Sequence, residues 1–193
     1  MRFDNFQELD PESADLVRDL LDNAERQRSA FMSFASLWMA FNGWMESVTD
    51  GSHDAAMITE LSDSRRLNEA FETLAQENDA FRERIETFSS MWPVLNVRDA
   101  RHKLGRDASS RLSREEFEEQ AARLEVKSQP VGWAPGDLPT WGQVLRTIYQ
   151  IRCNMFHGTK SPRNPRDRQL ILQSERILKT FIVESRCFEW GDD

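Results

Sequence analysis

The chain has 193 residues, 39% hydrophobic and 30% charged, with a formal net charge of −8, a length and composition that suit one globular domain with a real core and little room for a second. No apolar run reaches the roughly 18 residues of a membrane span, and "MRFDNFQELD" lacks the basic flank and apolar stretch of a signal peptide, so a cytoplasmic protein with no membrane partner is expected. The net negative field disfavours indiscriminate nucleic-acid binding, yet screening confines distant charges to about 10 Å and leaves a local basic patch effective.

The first strong element opens at "DPES", where Asp10 can cap, Pro11 suits the first helical position and Glu12 favours the positive end of the helix. From there to Val48 only Gly43 interrupts, so one long helix is predicted. In its second half Phe31, Phe34, Trp38, Phe41, Met45 and Val48 advance by 3, 4, 3, 4 and 3, an apolar seam for a partner helix. Asn42 lies beside that seam, and its amide must find a partner or solvent. "TDGSHD" ends the helix and "AAMITELSD" gives a short second one. "SRRLNEAFETLAQENDAFRERIETFSSMW" follows with Leu67, Phe71, Leu74, Phe81, Ile85 and Phe88 near helical spacing, an interruption around Asn78, and a stop at Pro93.

Residues 94–112 are polar, broken by Gly105, and carry no clear assignment. "SREEFEEQAARL" has the Ser113 to Glu116 capping-box pattern of a helix. "KSQPVGWAPGDLP" holds three prolines and two glycines in thirteen residues and reads as a loop, with Trp133 to bury. Two helices then close the chain: "WGQVLRTIYQIRCNMF", capped by Thr140 and ended by Gly158, and "PRDRQLILQSERILKTFIVESRCF" from Pro165, with Leu170, Leu172, Ile177, Leu178, Phe181 and Ile182 apolar. No internal repeat and no convincing strand is present. The predicted fold class is all-α, a single-domain helical bundle over residues 1–193.

Neither the two cysteines, Cys153 and Cys187, nor the three histidines, His53, His102 and His157, stand at metal-ligand spacing, so no metal or other cofactor is expected. One arginine stands out. Trp141, Leu145, Ile148, Arg152 and Met155 advance by 4, 3, 4 and 3, which sets a guanidinium in a row that otherwise looks like core. Left unpaired there it is expensive, so it must snorkel outward, meet a carboxylate or serve a site. His157 follows, about 140° around the helix from Arg152, at the negative end that stabilises imidazolium. From Arg146 to Arg168 six Lys and Arg residues face the single Asp167, a local sum of +5 in an acidic chain.

"IRCNMFHGTK", followed by "PRDRQLI" at the head of a last amphipathic helix, resembles the HEPN family, whose signature is an arginine, four to six residues, then a histidine, often in an "RNxxFHG" setting. Arg152 and His157 enclose four residues, and "FASLWMAFNGW", residues 34–44, is similar to the first-core-helix pattern of such domains. The resemblance implies a helical domain that dimerises about a two-fold axis and joins two arginine-histidine pairs in one cleft. It further implies metal-independent endoribonuclease activity on RNA, in a toxin or defence setting with an antitoxin or other regulatory protein as a further partner. His157 would move protons between the ribose 2′-hydroxyl and the leaving 5′-oxygen, and Arg152 would hold the phosphate oxygens.

The family often carries asparagine directly after the arginine, whereas here Cys153 stands there and Asn154, the candidate polar catalytic residue, comes one place later. Candidate substrate-binding residues are Lys160, Arg163, Arg166 and Arg168, as a phosphate-tracking rim, and Asn42 on the earlier helix. The rim reads equally as a solvated loop and a basic helix start. Some members of the family bind RNA, nucleotides or proteins without catalysis, and Cys153 is the feature that favours this alternative.

Overall fold

Side chains that take up orphan amides mark where the helices begin. The structure, a computed structural model, describes residues 1–105, 107, 111–156 and 164–192. Among the described residues run α1 (Asp4–Gln7), α2 (Pro11–Arg26), α3 (Ala30–Val48), α4 (Asp54–Asp63), α5 (Arg65–Glu77), α6 (Asp79–Ser89), β1 (Val94–Leu95), α7 (Val97–Leu104), α8 (Arg114–Arg123), β2 (Ser128–Gln129), α9 (Trp141–Phe156) and α10 (Pro165–Ser185), then a 3₁₀ turn (Cys187–Glu189). Asp10 accepts from the Ser13 amide at 3.0 Å, and Asn78 from the Phe81 amide at 3.0 Å. Ser113 and Glu116 bond reciprocally at 3.2 and 2.8 Å. Thr140 and Gln143 make the same box before α9, at 3.3 and 3.1 Å. These starts agree with the sequence, as does the interruption at Asn78, which caps α6. Gly158, the expected end of α9, lies outside the described residues.

The long helix expected over residues 10–48 is two helices. Gln27 and Ser29 adopt extended backbone, and α3 turns back along α2. Neither proline nor glycine forces the break, so packing must drive it: the short apolar side of α2, Ala14, Val17 and Ala24, is buried only when folded onto α3. Gly43 permits the approach, since a β-carbon there would stand 2.9 Å from Val17 Cγ2. Residues 94–112, which carry no clear assignment in the sequence, contain α7 and also β1, which pairs antiparallel with β2 through Val94–Gln129 and Leu95–Ser128. A bundle without strands was expected, and this two-residue pairing is the exception to it.

The core is built on α3, whose Phe34, Trp38, Phe41, Trp44 and Met45 are buried. Phe3 and Phe188 cover its far end against Trp44, with ring centres 6.2 and 5.0 Å away. Trp141 at the head of α9 stacks on Phe181 of α10 at 4.0 Å and donates its indole N–H to the Leu61 carbonyl at 3.1 Å. A smaller cluster, Ala100, Ala121 and Val126 with Leu95 and Phe117 against it, holds α7, α8 and the β pair together beside the bundle. No helix of the described residues is long and apolar enough to cross a membrane.

Candidate functional site

α9 buries Trp141, Leu145, Ile148 and Met155, and Arg152 interrupts that strip. Its side chain is 27% exposed, and Nη1 lies 3.3 Å from Oδ2 of Asp54, itself 34% exposed, at the first turn of α4. Because both groups meet solvent, the pair contributes at most about 1 kcal/mol. The guanidinium carbon stands 5.7 Å from the Trp38 ring centre and 5.1 Å from that of Phe156, so two aromatic faces hold it in place. Nε is buried without a hydrogen-bond partner. The arginine is therefore positioned by the fold but incompletely satisfied by it, an arrangement that costs stability and calls for an explanation.

Tyr149, one turn before Cys153 on α9, stacks on Trp38 with ring centres 6.0 Å apart. Burial first, then the neighbouring Cys153 and Asp54, push its hydroxyl from an ordinary 10.0 up to about 12. Burial likewise pushes the Cys187 thiol from 9.0 up to about 12. In the unfolded chain both groups release their protons earlier, so the unfolded state binds fewer protons through this window. Their contribution is complete below about pH 9 and is lost as pH rises toward 12. The melting temperature of Cys187→Ala is expected to fall less steeply than that of the unsubstituted protein between pH 9 and 12. Parallel curves would assign the alkaline loss elsewhere.

Asn154 lies two residues beyond Arg152, about 200° around the helix, and faces the other way. It is 2% exposed. Its Nδ2 donates to the Leu95 carbonyl at 2.8 Å, and its Oδ1 accepts from the Val97 amide at 3.2 Å and from Gln150 Nε2 at 3.1 Å. These bonds fasten the β1–α7 junction to α9. Arg166 makes a second tie to that layer: it pairs with Glu118 at 3.1 Å and donates to the Met91 and Pro93 carbonyls at 3.0 and 3.3 Å. Asn42, one turn beyond Trp38 on α3, keeps a buried Oδ1 without a partner. Arg168 is exposed and lines a groove between the starts of α3 and α10. His157, Lys160 and Arg163 lie outside the described residues.

The structure thus adds Asp54 and Trp38 to Arg152, while Asn154 and Arg166 serve the attachment of the smaller layer. Nothing local announced Asp54, because its carboxylate meets Arg152 only through the packing of α4 on α9. That packing is close at Gly142, where a β-carbon would stand 3.1 Å from the Ser62 carbonyl oxygen. Among the described residues no group of three or more His, Cys, Asp or Glu side chains could hold a metal ion. Comparison of the chain with protein-family models, with curated proteins and with solved structures finds no match in any of the three.

Proposed function

We propose that the chain is a metal-independent endoribonuclease of HEPN type, acting as a two-fold dimer in a toxin or defence setting. The observation that carries this reading is Arg152, a partly exposed cation set in a core strip, held by Trp38, Phe156 and Asp54 and left with an unmatched donor. The guanidinium would hold the two non-bridging oxygens of a scissile phosphate as charge builds on them. The ribose 2′-oxygen attacks phosphorus while its proton passes to one histidine, and the bond to the 5′-oxygen breaks as that oxygen takes a proton from a second. Two copies of His157, one from each protomer, would supply the base and the acid. In such a dimer Phe156, 52% exposed at the end of α9 and in contact with Arg152, would lie close to the joined sites.

Because the nucleophile belongs to the substrate, cleavage of single-stranded RNA is expected to persist in EDTA and to leave a 2′,3′-cyclic phosphate. DNA and 2′-O-methylated RNA are expected to resist. Dependence on magnesium, or equal cutting of DNA, would sink this mechanism. A second reading, a non-catalytic module that binds RNA, nucleotide or a protein partner, gains support from Asn154, whose amide is engaged with Leu95, Val97 and Gln150. RNA bound but uncut under the same conditions would select it.

A further inference from the structure

Between the starts of α3 and α10 lies an open groove of about 440 Å³ with Arg28, Arg168 and Arg176 on its walls and Phe31, Ile171 and Leu172 on its apolar side. The three arginines are exposed, and among the described residues none of them pairs with a carboxylate. Several other arginines on this acidic surface do stand beside acids, as in Arg18–Asp15 at 3.0 Å, Arg65–Glu69 at 2.6 Å and Arg123–Glu119 at 2.6 Å. The acids on the neighbouring turns are engaged differently: Glu175 accepts from Ser33 at 3.0 Å, and Glu25 pairs with Lys179 at 3.1 Å. The groove therefore gathers three arginines without an ion-pair partner among the described residues, in a chain of net charge −8. Ser29, which opens α3, makes no side-chain cap, so the positive end of a 19-residue helix adds to the same field.

We infer that this groove holds the phosphates of a single-stranded RNA. Arg168 and Arg176 are eight residues apart on α10, about 12 Å along its axis, so a ligand that meets both carries negative charge at more than one point. The apolar side suits the faces of unpaired bases. Position gives the strongest argument. Phe31 and Trp38 are seven residues apart on one face of α3, about 10 Å, and Trp38 stands beside Arg152. Groove and guanidinium are thus about two helical turns apart along α3, a separation that a few nucleotides can span. The choice of RNA as the polymer rests on the ribonuclease reading, whereas the groove rests on its own three arginines.

The test uses the full chain and a fluorescent 2′-O-methylated oligoribonucleotide of about ten nucleotides, which binds without being cut, followed by anisotropy across a salt series. Changing Arg168 and Arg176 together to Gln is expected to weaken binding about tenfold or more and to reduce the salt slope by about 1.4, with Arg28→Gln acting in the same direction by about half as much. Unchanged affinity and slope in both variants, or no binding by the unsubstituted protein, would overturn the inference. Adenosine monophosphate and inorganic phosphate form a second arm: displacement of the oligonucleotide at micromolar nucleotide would identify a mononucleotide pocket and equally overturn it. Cleavage of unmodified RNA is followed separately. Groove-dependent binding without cleavage removes the ribonuclease and keeps the groove, while cleavage with groove-independent binding does the reverse.

Discussion

His157→Ala is expected to lower the rate of RNA cleavage by about 100-fold or more while leaving RNA affinity nearly unchanged. A proton-transfer group acts on the barrier, since it exchanges its proton only as bonds to phosphorus form and break. Arg152→Ala is expected to reduce both affinity and rate, because a guanidinium meets the phosphate before and during the reaction. The environment of Arg152 supports that distinction: Trp38, Phe156 and the 3.3 Å contact with Asp54 hold the group in one place, so binding requires little further ordering. Removing this side chain also strips contacts from Trp38, so the variant must melt close to the parent before its kinetics are interpreted. A His157 variant that cuts RNA at the parent rate would assign the activity to another site and leave the binding module as the better description.

Asn154→Ala is expected to destabilise the fold by about 3 kcal/mol, because a buried side chain is truncated and the partly buried Leu95 carbonyl and Val97 amide each lose their side-chain partner. For a chain of this size that loss lowers the melting temperature by about 10 °C. Thermal and urea unfolding read the effect directly. A catalytic asparagine would show the opposite pattern, with stability kept and rate lost. The smaller layer of α7, α8 and the β pair should loosen first, since among the described residues its own cluster buries just the small hydrophobics Ala100, Ala121 and Val126. Hydrogen exchange localised to residues 94–129 would identify that layer, whereas uniform loss of protection would show that Asn154 supports the bundle as a whole.

The helical class, the caps and most helix starts were legible in the sequence because their causes are local. Asp10, Asn78, Ser113 with Glu116 and Thr140 with Gln143 each act on an amide three residues away or fewer, a distance within one turn. The 3-and-4 spacing of Phe31 through Val48 marked the buried side of α3 for the same reason. Arg152 stood out because the row around it is otherwise apolar, and the acidic chain made the cluster from Arg146 to Arg168 conspicuous.

Tertiary structure alone decided which distant residues meet. The break at Gln27–Ser29 has no proline or glycine to announce it, and it follows from the gain in burying Val17 beside Gly43. Val94–Leu95 finds its partner strand beyond α8, across a segment with no pairing signal of its own. Asp54 reaches Arg152 through the packing of α4 on α9, and Arg28 joins Arg168 and Arg176 only because α3 turns back from α2 to lie along α10. The basic run therefore divides in space, with Arg166 turned to the carbonyls of Met91 and Pro93 and Arg168 to the groove. Caps and periodicity are set by contacts within a turn or two of one helix, whereas the surroundings of a side chain depend on which helix faces it, and that is determined by the burial of whole faces together.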